Sequence, residues 1–142
     1  MQTQNSPKWL KATAILALLW NAMGILNFLM QISATPETLA LLPANERALY
    51  EQTPTWSFIA FALGVFGGTI GSIGLLLLKT WAKPFFAVSL VAVVCQMSYW
   101  LFFTKAVEVY GPTSYVMPTI VIGVAILLLQ MTLSGIRKGY IN

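Results

Sequence analysis

Six uncharged side chains lie inside stretches that are otherwise almost wholly apolar: Trp20, Asn21, Asn27, Gln96, Tyr99 and Trp100. Amides and hydroxyls in such places exchange hydrogen bonds, while aromatic faces cover apolar rings. The chemistry this set supports is recognition of a neutral small molecule, sugar-like or lipid-like. Proton relay and ion coupling are not supported, because no charged group lies beside it. Catalysis is equally ill provided for. The chain holds no His and no Asp, and its four glutamates (Glu37, Glu46, Glu51 and Glu108) are spread singly over two loops. With no cluster of acid, base or nucleophile, the expectation is a protein that is not an enzyme and takes no cofactor. No metal-ligand spacing occurs, and a single cysteine, Cys95, permits no intrachain disulfide. Lacking a basic neighbour, Cys95 reads as a small packing residue. The six methionines, Met23, Met30, Met97, Met117 and Met131 among them, read as adaptable core filler.

The elements that must hold these groups follow from composition. Of the 142 residues 58% are hydrophobic and 8% charged, with a mean hydropathy of +0.77. A soluble domain carries about a quarter charged residues, so the fold class expected is an all-α, polytopic membrane protein. Roughly 20 apolar residues cross a hydrocarbon core as a helix. Four stretches qualify, at 9–31, 56–78, 84–104 and 115–136, with Lys11 near the edge of the first as their only charged residue. The first is too long for a signal-peptide core, despite a cleavage-like Ile32-Ser33-Ala34, and is read as a true span. Together they make one transmembrane domain over residues 1–142, a four-helix bundle. Lys8, Lys11, Lys79, Lys83, Arg137 and Lys138 fall on one side, and all four acids with Arg47 and Lys105 fall on the other. The positive-inside rule places both termini in the cytoplasm, and Trp9, Trp56, Trp81 and Tyr115 at the headgroup zones. The net charge of +4 is not gathered into a solvated patch, which speaks against nucleic acid.

By depth, Asn21 and Gln96 lie near mid-bilayer, Asn27 and Tyr99 further out, and Gln130 nearer the cytoplasm. Asn21 and Gln96 therefore either bond each other as structural glue or line a polar cleft with the other four side chains. The loop after the first span is the one sizeable outer segment. Thr35-Pro36-Glu37 reads as the cap and first turn of a short periplasmic helix, and Asn45-Glu46-Arg47 as the cap of a second turn. Leu39, Leu42, Leu49 and Tyr50 would then face the membrane surface or the outer mouth of the bundle, as connector or as lid. Thr53-Pro54-Thr55-Trp56 and Gly111-Pro112-Thr113-Ser114-Tyr115 each read as a break followed by a cap for the next span.

The second span carries a row of small residues every fourth position, Ala60, Gly64, Gly68 and Ser72, and a second row of Gly67 and Gly71. Such rows let another backbone approach closely. The partner is a helix of the same bundle, a second subunit, or a ligand pressed on bare backbone.

Several segments resemble a family of small bacterial inner-membrane proteins of similar length. They are Trp20-Asn21-Ala22-Met23-Gly24, Pro54-Thr55-Trp56 leading into Ala60 through Gly68, Ser89-Leu90, Gln96-Met97-Ser98-Tyr99, Val109-Tyr110-Gly111-Pro112 and Met117-Pro118. Members of that family often carry the label sugar transporter, so the resemblance implies transport and assigns no site residue. The chain lacks a Pro-Gln dipeptide and does not resemble the small sugar carriers built on that motif. The expectation is an inner-membrane protein, in the lipid bilayer as a homo-oligomer, that binds or transports a neutral solute. The alternative is an accessory subunit packing against a larger complex through the glycine rows.

Overall fold

Backbone amides in an apolar stretch need partners within their own segment, and a helix supplies them. The computed structural model describes residues 5–142 and contains no strand among them. The elements are α1 (Lys8–Ile32), α2 (Pro36–Ala40), α3 (Ala44–Glu51), α4 (Thr55–Leu76), α5 (Ala82–Phe103), α6 (Ala106–Tyr110), a 3-10 turn (Gly111–Tyr115) and α7 (Val116–Arg137). Four helices, α1, α4, α5 and a last one counted from Ala106 through α7, are long and apolar enough to cross a membrane. The chain is thus a helical membrane protein, and the four expected spans agree with the observed helices to within two residues at every end.

Local chemistry sets the boundaries. Thr35 and Thr38 form a reciprocal capping box, each hydroxyl accepting from the other's backbone N–H, with Pro36 in the first turn of α2. The Glu37 carboxyl there is held below its ordinary range by its own backbone N–H and by the Thr35 side chain. The second expected cap needs correction. Pro43, not Asn45, stands at the start of α3, and Asn45 Oδ1 accepts only from the neighbouring Glu46 N–H. Nor do side chains cap α4 or α7, which begin after Pro54 and Tyr115. Proline already holds the entering backbone extended, the exposed Thr55 and Trp56 can be served by water, and the buried Ser57 N–H bonds the Pro54 carbonyl at 3.0 Å. Thr53 instead turns its hydroxyl back to the Leu49 carbonyl, at 2.7 Å.

The helices stand in a row rather than a ring. α1 packs on α4, α4 on α5 and α5 on α7, while α1 and α7 make almost no contact. Small residues build the first two contacts. A Cβ at Gly64 would meet Val93 at 2.8 Å, and one at Gly67 would meet the Phe85 carbonyl oxygen at 3.3 Å, both on α5. Gly24 of α1 leaves room for Val65 of α4. Ser89 Oγ donates to the Gly64 carbonyl at 2.6 Å, a side-chain bond between helices. Such bonds in membranes are worth only about 0.6–2 kcal/mol, so close backbone packing carries more of the pairing.

The row closes at the end that bears six of the eight bases. There Leu10, Ala14 and Ala17 of α1 meet Leu75, Ala82, Phe86, Leu128 and Ile141 in one buried cluster. α7 ends in a Schellman turn, with Gly139 at φ +73° and the Tyr140 N–H on the Gly135 carbonyl at 2.9 Å. That turn sends residues 140–142 back across the α4–α5 hairpin. The Asn142 N–H bonds the Leu78 carbonyl at 3.0 Å, and the Thr80 N–H bonds the Asn142 carbonyl at 3.2 Å. Ile141 thereby wedges over the bare Gly135, which only a residue without a side chain allows.

Candidate functional site

Away from that plug the helices diverge around a cavity of about 530 Å³. This falls in the range of about 300–1,000 Å³ typical of small-molecule sites. Each long helix turns one stripe toward it, at helical spacing. Phe86, Ser89, Val93, Gln96 and Trp100 come from α5, and Met117, Val121, Val124 and Leu128 from α7. No charged side chain lines the cavity among the described residues. All six side chains singled out from the sequence, Trp20, Asn21, Asn27, Gln96, Tyr99 and Trp100, lie on its wall. Their environments differ. Asn21 is 8% exposed, Trp20, Gln96, Tyr99 and Trp100 are half-buried, and Asn27 is exposed where α1 parts from α7. Gln130 is exposed on α7 and takes no part.

The two mid-helix amides do not bond each other, which corrects the glue reading. Asn21 Nδ2 donates to the Ala17 carbonyl of its own helix at 2.8 Å. Only the NH₂ can donate to a carbonyl, so the carbonyl oxygen of Asn21 is the free end. It sits against the bare backbone of Gly68, closer than any Cβ there would allow. Gly68 is therefore the residue that admits the amide. Gln96 Oε1 is buried and has no donor among the described residues. A buried acceptor left unpaired costs about 1–3 kcal/mol, so this oxygen is the least compensated group on the wall.

Aromatic contacts fix the outer half. The Trp56 and Tyr99 rings meet edge to face at 4.8 Å, and Tyr99 stacks on Phe103 at 6.1 Å. Trp100 stacks on Tyr110 at 6.1 Å, which ties α6 down onto α5. α3 packs against α6, and Leu49, Tyr50, Tyr110 and Thr113 line the end of the cavity farthest from the plug. The loop after α1 thus roofs the cavity, and its partner α6 was not evident in the sequence.

Sequence reasoning also missed Ser57 and Ser89 as wall residues. Both could have been found by register, since Ser57 precedes Gly64 by seven residues and Ser89 precedes Gln96 by seven, two helical turns on one face. The small-residue rows are spent within the chain. Ala60, Gly64, Gly67, Gly68, Gly71 and Ser72 are all buried, the glycines against α1 and α5. Two other readings fail. Cys95 is exposed on the outer face of α5 rather than packed inside. Met23, Met30 and Met117 are 68%, 66% and 53% exposed, so they are not core filler. In a membrane an outward apolar side chain meets acyl chains at no cost, which is why apolarity alone did not reveal the inner face. No group of three or more metal-ligating side chains occurs among the described residues. No family model, curated protein or solved structure matches this chain.

Proposed function

We propose that this protein binds a neutral small molecule between its four long helices and serves, as a homo-oligomer, in its uptake or transfer across a bacterial inner membrane. The observation that carries the reading is the buried, unpaired oxygen of Gln96 in the wall of an uncharged, ligand-sized cavity. An ion would find no countercharge there, whereas a hydroxyl or N–H group would relieve the oxygen once the Gln96 side chain turns to meet it. Four helices in an open row leave little material for alternating access, so movement of the molecule across the bilayer calls for more than one copy. The six bases at the plugged end orient it to the cytoplasm, and the roofed end with all four acids faces the periplasm.

The accessory-subunit alternative is weaker, because the glycine rows that would have served a larger partner are already covered by α1 and α5. Native mass spectrometry from mild detergent separates the two. The expected spectrum is a homo-oligomer carrying a neutral adduct of small mass; a bare monomer that captures one larger protein would favour the accessory role. Orientation is checked by membrane-impermeant amine labelling of intact cells. Lys79 should stay unlabelled until the membrane is opened, and labelling from outside would reverse the assignment.

A further inference from the structure

Resting on that binding reading, we infer that the occupant is a neutral amphiphile with a hydroxyl head, taken sideways from the bilayer through the gap between α1 and α7. The first observation is the gap. α1 and α7 barely touch above the plug, yet Met23 and Asn27 of one and Met117 of the other are at once wall residues and exposed. In a membrane the surface outside those residues is acyl chain, not water. The end that would face water is instead crossed by α3, α6 and the 3-10 turn, held to α5 by the Trp100–Tyr110 stack.

The second observation is how polarity is divided around the cavity. The α7 wall consists of Met117, Pro118, Val121, Val124, Ala125 and Leu128, with no polar side chain. Opposite it, polar side chains come from α1 (Asn21, Asn27), α4 (Ser57) and α5 (Ser89, Gln96, Tyr99), and others ring the roofed end. Around Gln96, Asn21 spends its NH₂ on Ala17 and Ser89 spends its hydroxyl on Gly64, which leaves the carbonyl oxygens of Asn21 and Gln96 as acceptors in that part of the wall. A sugar is polar on every side, and its hydroxyls turned to α7 would each go unpaired, at about 1–3 kcal/mol apiece. A molecule with one hydroxyl end and an apolar body meets both walls. The head seats on Gln96 and Asn21, and the chain lies along α7 and out through the gap. A charged head has no partner in the site, so phospholipids that surround the protein are excluded by desolvation.

The test uses the full chain in phosphatidylcholine vesicles containing a monoacylglycerol with a diazirine partway along its acyl chain. Illumination followed by peptide mapping should place adducts on the inward α7 residues Val121, Val124, Ala125 and Leu128. A diazirine analogue of phosphatidylglycerol should mark only outward residues. Gln96→Leu should reduce the cavity adducts about three- to tenfold, the worth of one hydrogen bond, while labelling of the outer face stays unchanged. In parallel, Ala125→Cys is probed with maleimide in the presence of glucose or glycerol. Absence of cavity adducts together with protection by these polyols would overturn the amphiphile and leave the binding reading standing. Absence of both would overturn both. Equal cavity labelling by phosphatidylglycerol would overturn the neutral head.

Discussion

Gly71→Leu should destabilise the bundle by about 3 kcal/mol or more, the upper end of what overpacking a tight core costs. A Cβ at that position would stand 2.8 Å from Cδ1 of Phe86, 2.9 Å from Cε1 and 3.1 Å from Cγ. Phe86 is 2% exposed and lies in the cluster that seals the basic end, so pushing its ring aside breaks that cluster. Three further carbons would force α4 away from α5, opening the Ser89–Gly64 bond and the close approach at Gly67 with it. Gly123→Leu is the matched control. A Cβ there meets nothing within 4 Å, so the same side chain on exposed α7 should be neutral or slightly stabilising. Unfolding in mixed micelles with increasing dodecyl sulfate reads both. Similar behaviour of the two variants would mean that α4 does not pack on α5 as described.

The glycine rows show what a sequence can and cannot convey. Spacing of four revealed that α4 is approached closely, since few other uses of repeated bare backbone exist in lipid. It could not name the partner, because Gly64 accommodates Val93 of α5 and Gly68 accommodates Asn21 of α1, and neither side chain is marked by type. The spans and their ends were equally legible, as hydropathy is a local property, whereas of the expected side-chain caps only that of α2 forms. The six polar and aromatic residues were found because polarity inside an apolar run is conspicuous, and all six line one cavity. Their hydrogen bonds were not legible. Asn21 and Gln96 fall at one depth by residue count, yet Asn21 bonds the carbonyl four residues back and Gln96 Oε1 has no donor among the described residues. Cys95 and the outward methionines were misplaced for the converse reason, that lipid tolerates apolar groups on either face. The open side between α1 and α7 is a property of four helices in a row, which no single segment encodes.

Gln96→Leu carries the second large effect, and its sign is the informative part. If the side chain served only to hold helices together, its loss would remove a bond worth about 0.6–2 kcal/mol and the protein would weaken. Gln96 Oε1, however, has no donor among the described residues, so the parent chain bears the cost of a buried unpaired acceptor. Leucine has similar bulk and no such cost. Stability and binding should therefore move in opposite directions. The variant gains stability when the cavity is cleared of lipid and solute, and it loses the further gain that an occupant confers on the parent by binding only the folded state.

Unfolding free energies of the lipid-stripped parent and of Gln96→Leu, compared in the same micelles with nothing added, put the whole reading at risk. The cavity as a binding site predicts that the leucine variant is the more stable by about 1–2 kcal/mol. A variant less stable than its parent would make Gln96 a structural strut and leave the cavity without a reason to bind anything.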